Sequence, residues 1–263
     1  MFTPPLKRIS ARDNPEFKRF LAVKSRKNRD LILVEGPKLL AEAIRSGASI
    51  DVVALREGSD VLPTTLPRDA PLVEFSSALI EALSDVETSQ GILALVRRPT
   101  VDPAWLEDPK AFVLILDAVQ DPGNVGTLFR TAEATGVTGI LMTQGCADPL
   151  SSKALRASAG SAFRVPHLTG VSADELLALL PHGLPLVTTT VEPGAPSLFN
   201  TPLEFPLALA LGSEGSGLDP RLDAQATQRI RVPQARPVES LNVASAGAVL
   251  LFDIARRAGI LTN

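Results

Sequence analysis

A glycine-rich stretch follows an apolar run at residues 207–222, in the sequence LALALGSEGSGLDPRL. Its glycines are spaced G-x-x-G-x-G, which differs from the fingerprint of dinucleotide-binding turns. Glycine lets backbone approach a ligand closely, and the carboxylate of Glu214 stands between Gly212 and Gly215. The stretch therefore predicts either a ligand-binding loop at the end of a strand or a tight turn before the segment DPRL.

A second group of polar residues follows the apolar run FVLILDAV, in the segment QDPGNVGTLFRTAEATG. We predict a helix that begins with Asn124 as its N-cap and is closed by Gly136. Ligands in open α/β folds bind at the carboxyl ends of strands, so Asn124 and Arg130 should face a binding crevice. Arg130 stands among apolar and small residues, and its planar guanidinium suits a phosphate group. The alternative is an ion pair between Arg130 and Glu133.

The third segment is RIRVPQARPVESLNVASAGAVLLFDIARR. It predicts a short strand, a proline-containing loop that leads to residues 239–242, and a long helix from about Asn242 to Arg257. Ser240 and Asn242 are residue types that cap helices. The small residues that begin the helix allow it to pack very closely on another backbone.

The elements around these segments alternate between strand and helix, and the strands are apolar on both faces. This pattern predicts an α/β fold with a mostly parallel sheet that is covered on both sides. The segment RRPTVDPAWLEDP is rich in proline and mixed in charge, as is typical of linkers. We therefore predict a small α/β domain over residues 1–98, a linker over 99–109 and a larger domain over 110–263. His167 and His182 are predicted to lie in loops.

Composition restricts the classes of function. The chain of 263 residues has a net charge of −3, one cysteine and two histidines. The single cysteine, Cys146, cannot form an internal disulfide. One cysteine and two histidines are few ligands for zinc or iron, which argues against a metal site. No apolar run approaches the roughly 20 residues that span a bilayer, and the first residues lack the apolar core of a signal peptide. These features predict a cytoplasmic protein with no membrane segment and no metal.

Positive charge is concentrated in the first 30 residues, which contain nine Lys or Arg and three acidic residues. A basic patch on a mildly acidic protein fits a nucleic-acid contact, and a solvated helix face is the alternative. With no tyrosine and 4% aromatic residues, the chain has few platforms for base stacking. Recognition of RNA is therefore expected to rest on phosphates, 2′-hydroxyls and RNA shape.

In order and spacing, three segments resemble the motifs of the SpoU-type family: NVGTLFRTAEATG, LALALGSEGSGL and IRVPQARPVESLNVASAGAVLLFDIAR. Members of this TrmH-like family are RNA ribose 2′-O-methyltransferases of the SPOUT superfamily. The resemblance covers about residues 110–260. The first unit, with LVEGPKLLAEAI and ETSQGILALV, also resembles the substrate-binding domain that many members carry, which has a ribosomal-protein-like α/β fold.

The resemblance implies a deep trefoil knot in the parallel sheet, with S-adenosylmethionine held by the knot loops. By motif position, these are the loops at Gly212, Val232 and Leu241, and the strand end near Thr189 is a further candidate. The resemblance also implies a homodimer with the site near the subunit interface. Arg130 would then serve either its own site or that of the partner subunit.

The implied reaction is the attack of a ribose 2′-oxygen on the methyl group of S-adenosylmethionine. Five residues at motif positions are the candidates for this chemistry: Asn124, Arg130, Glu214, Ser240 and Asn242. We expect Arg130 to hold the adjacent phosphate and favour the developing alkoxide, because a guanidinium stays protonated and cannot act as the base. The two asparagines and Ser240 would orient ribose and phosphate, and Glu214 would hold Arg130 or the motif loops.

Two questions stay open at the level of sequence. The first domain favours ribosomal RNA, of the large subunit, over transfer RNA as the substrate. A non-catalytic RNA-binding protein is the alternative from a different class; it explains the basic N-terminal region but not the residues at the motif positions. A Rossmann-type enzyme is disfavoured because the turn DAVQDPGNVG lacks the G-x-G-x-x-G fingerprint.

Overall fold

The structure is a computed structural model of the chain. It describes residues 7–59, 66–67, 69–192, 194–236 and 240–261. Residues 237–239, part of the predicted proline-containing loop, lie outside this set. The chain divides into two compact units: the first runs to Thr100 and includes Leu150–Ser152, and the second contains Val101–Pro149 and the residues from Lys153 onward.

The first unit is a mixed α/β structure. Its described strands are β1 (Lys7–Ile9), β2 (Leu31–Glu35), β3 (Ile50–Arg56), β4 (Leu72–Phe75) and β5 (Ile92–Arg97). Its described helices are α1 (Pro15–Lys24), α2 (Pro37–Arg45) and α3 (Ser77–Leu83). The sheet order is β1-β4-β3-β5-β2, and β5 runs antiparallel to both of its neighbours. Its core is mostly aliphatic and includes Phe20 and Phe75, whose rings pack edge to face with their centroids 5.2 Å apart.

The second unit contains a six-stranded sheet in the order β11-β9-β10-β6-β7-β8, in which every pair is parallel. Its described strands are β6 (Phe112–Leu116), β7 (Gly139–Thr143), β8 (His167–Val171), β9 (Leu186–Thr189), β10 (Leu207–Leu211) and β11 (Gln228–Ile230). The helices are α4 (Pro122–Ala134), α5 (Ser152–Ala157), α6 (Ala173–Leu179), α7 (Pro220–Ala224) and α8 (Val243–Arg257). None of the described helices combines the length and apolar character that crossing a bilayer requires.

The central strands of this sheet explain its apolar sequence runs. Every residue of β6 and β10 is buried, because both faces of a parallel sheet are covered and alternation with polar residues is lost. The prediction of an α/β fold with a parallel sheet is confirmed.

Helix α8 packs against α4, the helix that follows β6. A Cβ atom at Gly247 would lie 2.4 Å from Cδ2 of Leu128, so the absence of a side chain at this position allows the close approach. The helix packs closely at this small residue, but the neighbours at Gly247 are leucine side chains, so the predicted contact with another backbone is wrong at this position. This contact holds the first half of α8 against the middle of α4.

The edge strand β8 was not predicted from the sequence, and the prediction that His167 lies in a loop was wrong. His167 is the first residue of β8, is buried, and lies with Nδ1 2.9 Å from the carbonyl oxygen of Val165. The strand is short and contains Thr169 and Gly170, so it shows neither a continuous apolar run nor clear alternation. Its pairing with β7 decides its conformation. His182 lies in a turn, as predicted.

Candidate active site

Helix α4 begins with a different cap from the one that the sequence predicts. Asp121 is the N-cap, and its Oδ1 accepts hydrogen bonds from the amides of Gly123 at 2.8 Å and Asn124 at 3.0 Å. Pro122 occupies the first helical position, where no amide donor is needed. Lys153 binds Asp121 at 2.7 Å, and this hydrogen bond lowers the pKa of the Asp121 carboxyl. The prediction of Asn124 as the cap was wrong, and its side chain instead reaches other segments.

The loop that follows β10 is a tight turn. Ser213 and Gly217 exchange backbone hydrogen bonds of 3.1 and 3.0 Å. A Cβ at Gly212 would lie 2.3 Å from the carbonyl carbon of Gly217, a distance that real structures do not tolerate. In contrast, a Cβ at Gly215 would meet open space. Glycine at position 212 is therefore required by the turn itself, and the turn carries Glu214 between its two ends.

Asn242 caps α8 and also joins this helix to the turn. Its Oδ1 accepts hydrogen bonds from the amides of Ala244 at 3.1 Å and Ser245 at 3.2 Å, as predicted for an N-cap. Its Nδ2 donates to Glu214 Oε1 at 2.8 Å and to Asn124 Oδ1 at 3.0 Å. One amide side chain therefore caps the start of a helix and connects it to two distant segments.

Glu214 Oε1 is the shared acceptor of this arrangement. It accepts from Asn242 Nδ2, from the amide of Val243 at 3.1 Å and from Asn124 Nδ2 at 3.3 Å. The free amides at the start of a helix carry partial positive charge, so the start of α8 favours a carboxylate at this point. We refer to Asn124, Glu214 and Asn242 as the polar cluster. It explains why an acid stands in the glycine turn: the carboxylate joins three chain segments.

Ser240 and Arg130 do not belong to the polar cluster. The Ser240 hydroxyl caps no helix and makes no hydrogen bond with another described residue. Arg130 is exposed on α4, and its guanidinium likewise has no partner among the residues that the structure describes. The predicted alternative of an Arg130–Glu133 ion pair is wrong. Glu133 binds Arg164 at 2.5 and 2.9 Å, and this hydrogen bond lowers the pKa of Glu133.

A cavity of about 870 Å³ lies beside the polar cluster and is lined by its member Glu214, whereas Asn124, Asn242 and Arg130 are not among the lining residues. Its walls come from the end of β9, the turn after β10, the segment after β11 and the start of α8. Leu211, Val243 and Leu250 give it apolar surface, and Glu214 and Ser240 contribute polar groups. The cavity is also lined by the four residues predicted to bind the cofactor: Thr189, Gly212, Val232 and Leu241.

Three arginines that were not predicted as site residues also line this cavity. Arg229 binds Asp223 at 2.8 Å, and Nε of Arg231 donates to the carbonyl of Ala195 at 2.9 Å. Arg236 is exposed and has no partner within the described ranges. The sequence signal was the recurrence of arginine in RIRVPQAR, directly before the third motif.

Two family models match the chain. The model of the SpoU rRNA Methylase family matches residues 111–252, and that of the MRM3-like substrate binding domain matches residues 14–94. The polar cluster, Arg130 and the cavity residues named above all lie within the first match.

Individual relatives cover nearly the whole chain. An uncharacterized tRNA/rRNA methyltransferase of Synechocystis is 33% identical, over 97% of this chain and 96% of the relative. The 23S rRNA (guanosine(2553)-2′-O)-methyltransferase RlmP of Bacillus subtilis is 31% identical, over 95% of this chain and 99% of that protein. The crystal structure of an AdoMet-bound rRNA methyltransferase from Sinorhizobium meliloti is similar with a TM-score of 0.84 and 27% identity, covering 98% of this chain and 99% of that one.

Proposed function

This chain belongs to the SpoU rRNA Methylase family and is a methyltransferase that uses S-adenosylmethionine, and we propose that it methylates a ribose 2′-hydroxyl of 23S ribosomal RNA. The observation that carries the proposal is the polar cluster beside the large cavity. Its three side chains come from three different motif segments and meet within hydrogen-bonding distance.

The cavity suits the cofactor chemically. Its apolar wall fits a purine ring, and the strand ends and turns around it offer polar groups for the ribose and amino-acid parts. When bound, S-adenosylmethionine supplies the methyl group that is transferred. We propose that four residues at these strand ends and loops hold it: Thr189, Gly212, Val232 and Leu241.

Within the polar cluster, Glu214 has the role of holding the motif segments together. Its Oε1 accepts three hydrogen bonds, whereas its Oε2 and the Ser240 hydroxyl have no hydrogen-bond partner in the described part of the chain. These two groups line the cavity and are available to a bound ligand. Asn124, Ser240 and Asn242 are proposed to orient the ribose and its phosphate.

Arg130 is proposed to act on the RNA. An unpaired, permanently protonated guanidinium can bind phosphate oxygens through two parallel hydrogen bonds. The same charge stabilises a 2′-oxygen as it loses its proton, and such stabilisation is a large contribution to many enzymatic rates. Arg130 is therefore a clamp for the reacting nucleotide and not the base.

We propose a homodimer formed by the exposed faces of α4 and α8. Val249 and Phe252, large apolar residues of α8, are 39% and 46% exposed. Apolar side chains of this size on neighbouring positions of a helix favour burial against a partner. A second copy related by two-fold symmetry would cover the same patch on both subunits. Since α8 packs on α4, this interface would also bring Arg130 close to the second subunit.

We propose that the described C-terminal elements belong to a trefoil knot. β11 pairs at the edge of the sheet next to β9, whereas α8 packs on α4, the helix that follows β6. The chain must therefore return across the sheet between β11 and α8. In a knot, this return segment would pass through the loop that precedes it. The backbone that lines the cavity would then be held in place at both of its ends.

The first unit is proposed to recruit the RNA, with residues 1–98 as the binding domain, 99–109 as the linker and 110–263 as the catalytic domain. Arg26, Lys27 and Arg29 lie in and just after the turn that follows α1. All three are exposed and form no ion pair with another residue in the described ranges.

Elsewhere in the first unit many cations are already neutralised. Lys24 binds Asp85 at 3.1 Å, and Arg45 binds Glu42 at 2.6 Å. The unpaired turn at residues 26–29 is therefore one candidate for phosphate contacts, which depend on releasing counterions from the RNA.

Large-subunit ribosomal RNA is the preferred target because RlmP, which is named for a guanosine of 23S rRNA, aligns over nearly the whole chain. Transfer RNA is the second candidate, since the Synechocystis relative is named as a tRNA/rRNA methyltransferase. A non-catalytic RNA-binding protein would leave the polar cluster and the cavity without a role.

The decisive experiment incubates the full chain with S-adenosylmethionine carrying a tritiated methyl group and with separately transcribed, unmodified 23S rRNA and tRNA pools. The RNA is then hydrolysed in alkali. A 2′-O-methyl group removes the internal nucleophile of alkaline cleavage, so ribose methylation leaves the label in alkali-stable dinucleotides.

Labelled dinucleotides from 23S rRNA, and from guanosine 2553 in particular, would support the proposal. Label in tRNA would move the substrate to the second candidate. Label in free nucleotides would mean base methylation and would contradict the proposed reaction. No label in either pool, together with no cofactor binding by calorimetry, would favour the non-catalytic RNA-binding protein.

A further inference from the structure

Asp117, directly after β6, is a buried carboxylate that the reaction described above does not use. It is only 6% exposed. Its Oδ1 accepts a hydrogen bond from the Thr143 hydroxyl at 2.6 Å, and its Oδ2 accepts one from the amide of Asp219 at 2.6 Å. Its own amide donates to the carbonyl of Leu211 at 2.9 Å. A carboxylate is buried at such a position only when hydrogen bonds compensate for lost water.

These hydrogen bonds bracket the turn that carries Glu214. Leu211 is the last residue before the turn, and Asp219 is the first residue after Leu218 at its other end. Asp117 therefore holds both ends of residues 212–218, one through its backbone and the other through its side chain. The bonds between Ser213 and Gly217 close the turn internally and connect its base to its tip.

The neighbouring backbone has an unusual conformation. Ala118 has φ of +52°, in the left-handed region that residues other than glycine rarely occupy. Its amide donates to Thr143 Oγ1 at 3.0 Å, so the same hydroxyl that binds Asp117 also supports this backbone. Conformations of this kind persist where the surrounding structure holds them, and they concentrate at functional sites.

We propose that Asp117 is a positioning residue for methyl transfer, which fixes the turn 212–218 so that Glu214 reaches the start of α8 and the cavity keeps its shape. The relevance to catalysis rests on the proposed function; the effect on the turn does not. Asp117 acts as a hydrogen-bond acceptor within the protein, and its charge has no direct role in the reaction.

Two substitutions at this position separate hydrogen bonding from charge. D117A removes both side-chain bonds. D117N can keep both: its Oδ1 accepts from Asp219, and its Nδ2 donates to Thr143, whose hydroxyl then donates to the carbonyl of Gln144, 3.3 Å away. Ile140→Ala, a buried position at the other end of β7, is the control for a general loss of stability.

The first measurement is hydrogen exchange of the amides of residues 213–217 in the full chain without cofactor. The second is the Kd for S-adenosylmethionine by calorimetry. Loss of a buried hydrogen-bond acceptor should speed exchange in the turn and weaken cofactor binding by about tenfold or more in D117A. The Kd of D117N for S-adenosylmethionine should stay within about threefold of that of the unsubstituted protein, because D117N keeps both hydrogen bonds. Ile140→Ala should unfold more easily but leave exchange in the turn unchanged.

Equal losses in D117N and D117A would overturn the proposal, because the charge would then be the essential property. Normal exchange of the turn in D117A would overturn it as well. If D117A does not fold, D219P is compared with D219A instead. D219P removes the amide that donates to Asp117 Oδ2, whereas D219A keeps it. Asp219 has φ of −56°, which proline accepts, and only the proline lacks the amide donor. Equal exchange in these two variants would contradict the proposal.

The proposal and the proposed function can fail separately. If the unsubstituted protein does not bind S-adenosylmethionine, the proposed function is wrong, whereas exchange in the turn still decides whether Asp117 holds it.

Discussion

Replacing Arg130 with alanine should separate catalysis from cofactor binding. The guanidinium is exposed and has no partner among the described residues, so R130A should change the free energy of unfolding by no more than about 0.5 kcal/mol. Its proposed role is to stabilise the developing alkoxide, and loss of one such donor slows enzymes by about a hundred- to a thousandfold. We expect single-turnover methyl transfer to fall by this factor. The Kd for S-adenosylmethionine should stay within about threefold, a change of less than about 1 kcal/mol.

The assay follows tritiated methyl transfer to RNA under single-turnover conditions, with calorimetry for the cofactor and urea unfolding for stability. Lys110→Ala is the matched control because it removes one exposed positive charge from the same unit, away from the cavity. It therefore reports the general loss of attraction for RNA. R130K keeps the charge but not the two-pronged geometry and should give an intermediate rate. A loss of cofactor affinity in R130A, or a methyl-transfer rate equal to that of K110A, would contradict the proposed role of Arg130.

Mixed dimers then decide which subunit Arg130 serves. Consider a dimer of one R130A subunit and one E214A subunit in which each site takes Arg130 from the partner subunit. The site in the R130A subunit is then intact, whereas the site in the E214A subunit lacks both residues. Random mixing makes about half of the dimers mixed, so activity should return to about a quarter of the original level. If Arg130 serves its own site, no activity returns. The same absence of recovery would follow if the protein were a monomer, which sedimentation would reveal.

Three further predictions concern the turn that contains Gly212, the Asn242 cap of α8 and the stability of the fold at low pH. G212A should weaken binding of S-adenosylmethionine by about tenfold or more, because its Cβ would collide with backbone across the turn, whereas G215A, facing open space, should match the original Kd in the same calorimetry. N242A should lower the free energy of unfolding by about 1 kcal/mol through loss of the cap, and N242S, which can still cap, should restore stability in urea but not methyl transfer. Arg164 lowers the pKa of Glu133, so this pair stabilises the fold above the usual glutamate pKa of about 4.3 and loses that effect as the pH falls. In urea unfolding, E133Q should therefore show a weaker dependence of stability on pH below about 5. An unchanged slope of stability against pH would contradict this prediction.

Several local elements could be predicted because their causes are local. The apolar runs of β6 and β10 follow from burial on both faces, and Gly136 ends α4 because it adopts φ of +73° directly after the cap residue. Asn242 caps α8 as its residue type indicates. In each case a few neighbouring residues are sufficient to decide the conformation.

Other elements depend on competition or on distant partners. Asp121 and Asn124 are both good caps, and Asp121 prevails because Pro122 favours the first helical position. The sequence of β8 shows no strand pattern. This edge strand forms because β7 offers free backbone groups for pairing. The partner of Glu133 is Arg164, 31 residues away, and not the arginine one turn earlier on the same helix.

The amino-acid sequence was sufficient to predict the alternating strands and helices, and it contains the three polar segments and the family resemblance that these segments carry. The hydrogen bonds of Glu214 with Asn124, 90 residues away, and with Asn242, 28 residues away, depend on the folded chain. The same is true of the close backbone contact that requires glycine at position 212 and of the bonds by which Asp117 holds both ends of that turn. Local preferences depend on neighbouring residues and can be read from the chain, whereas a hydrogen bond between distant side chains depends on where the parallel sheet brings the ends of its strands.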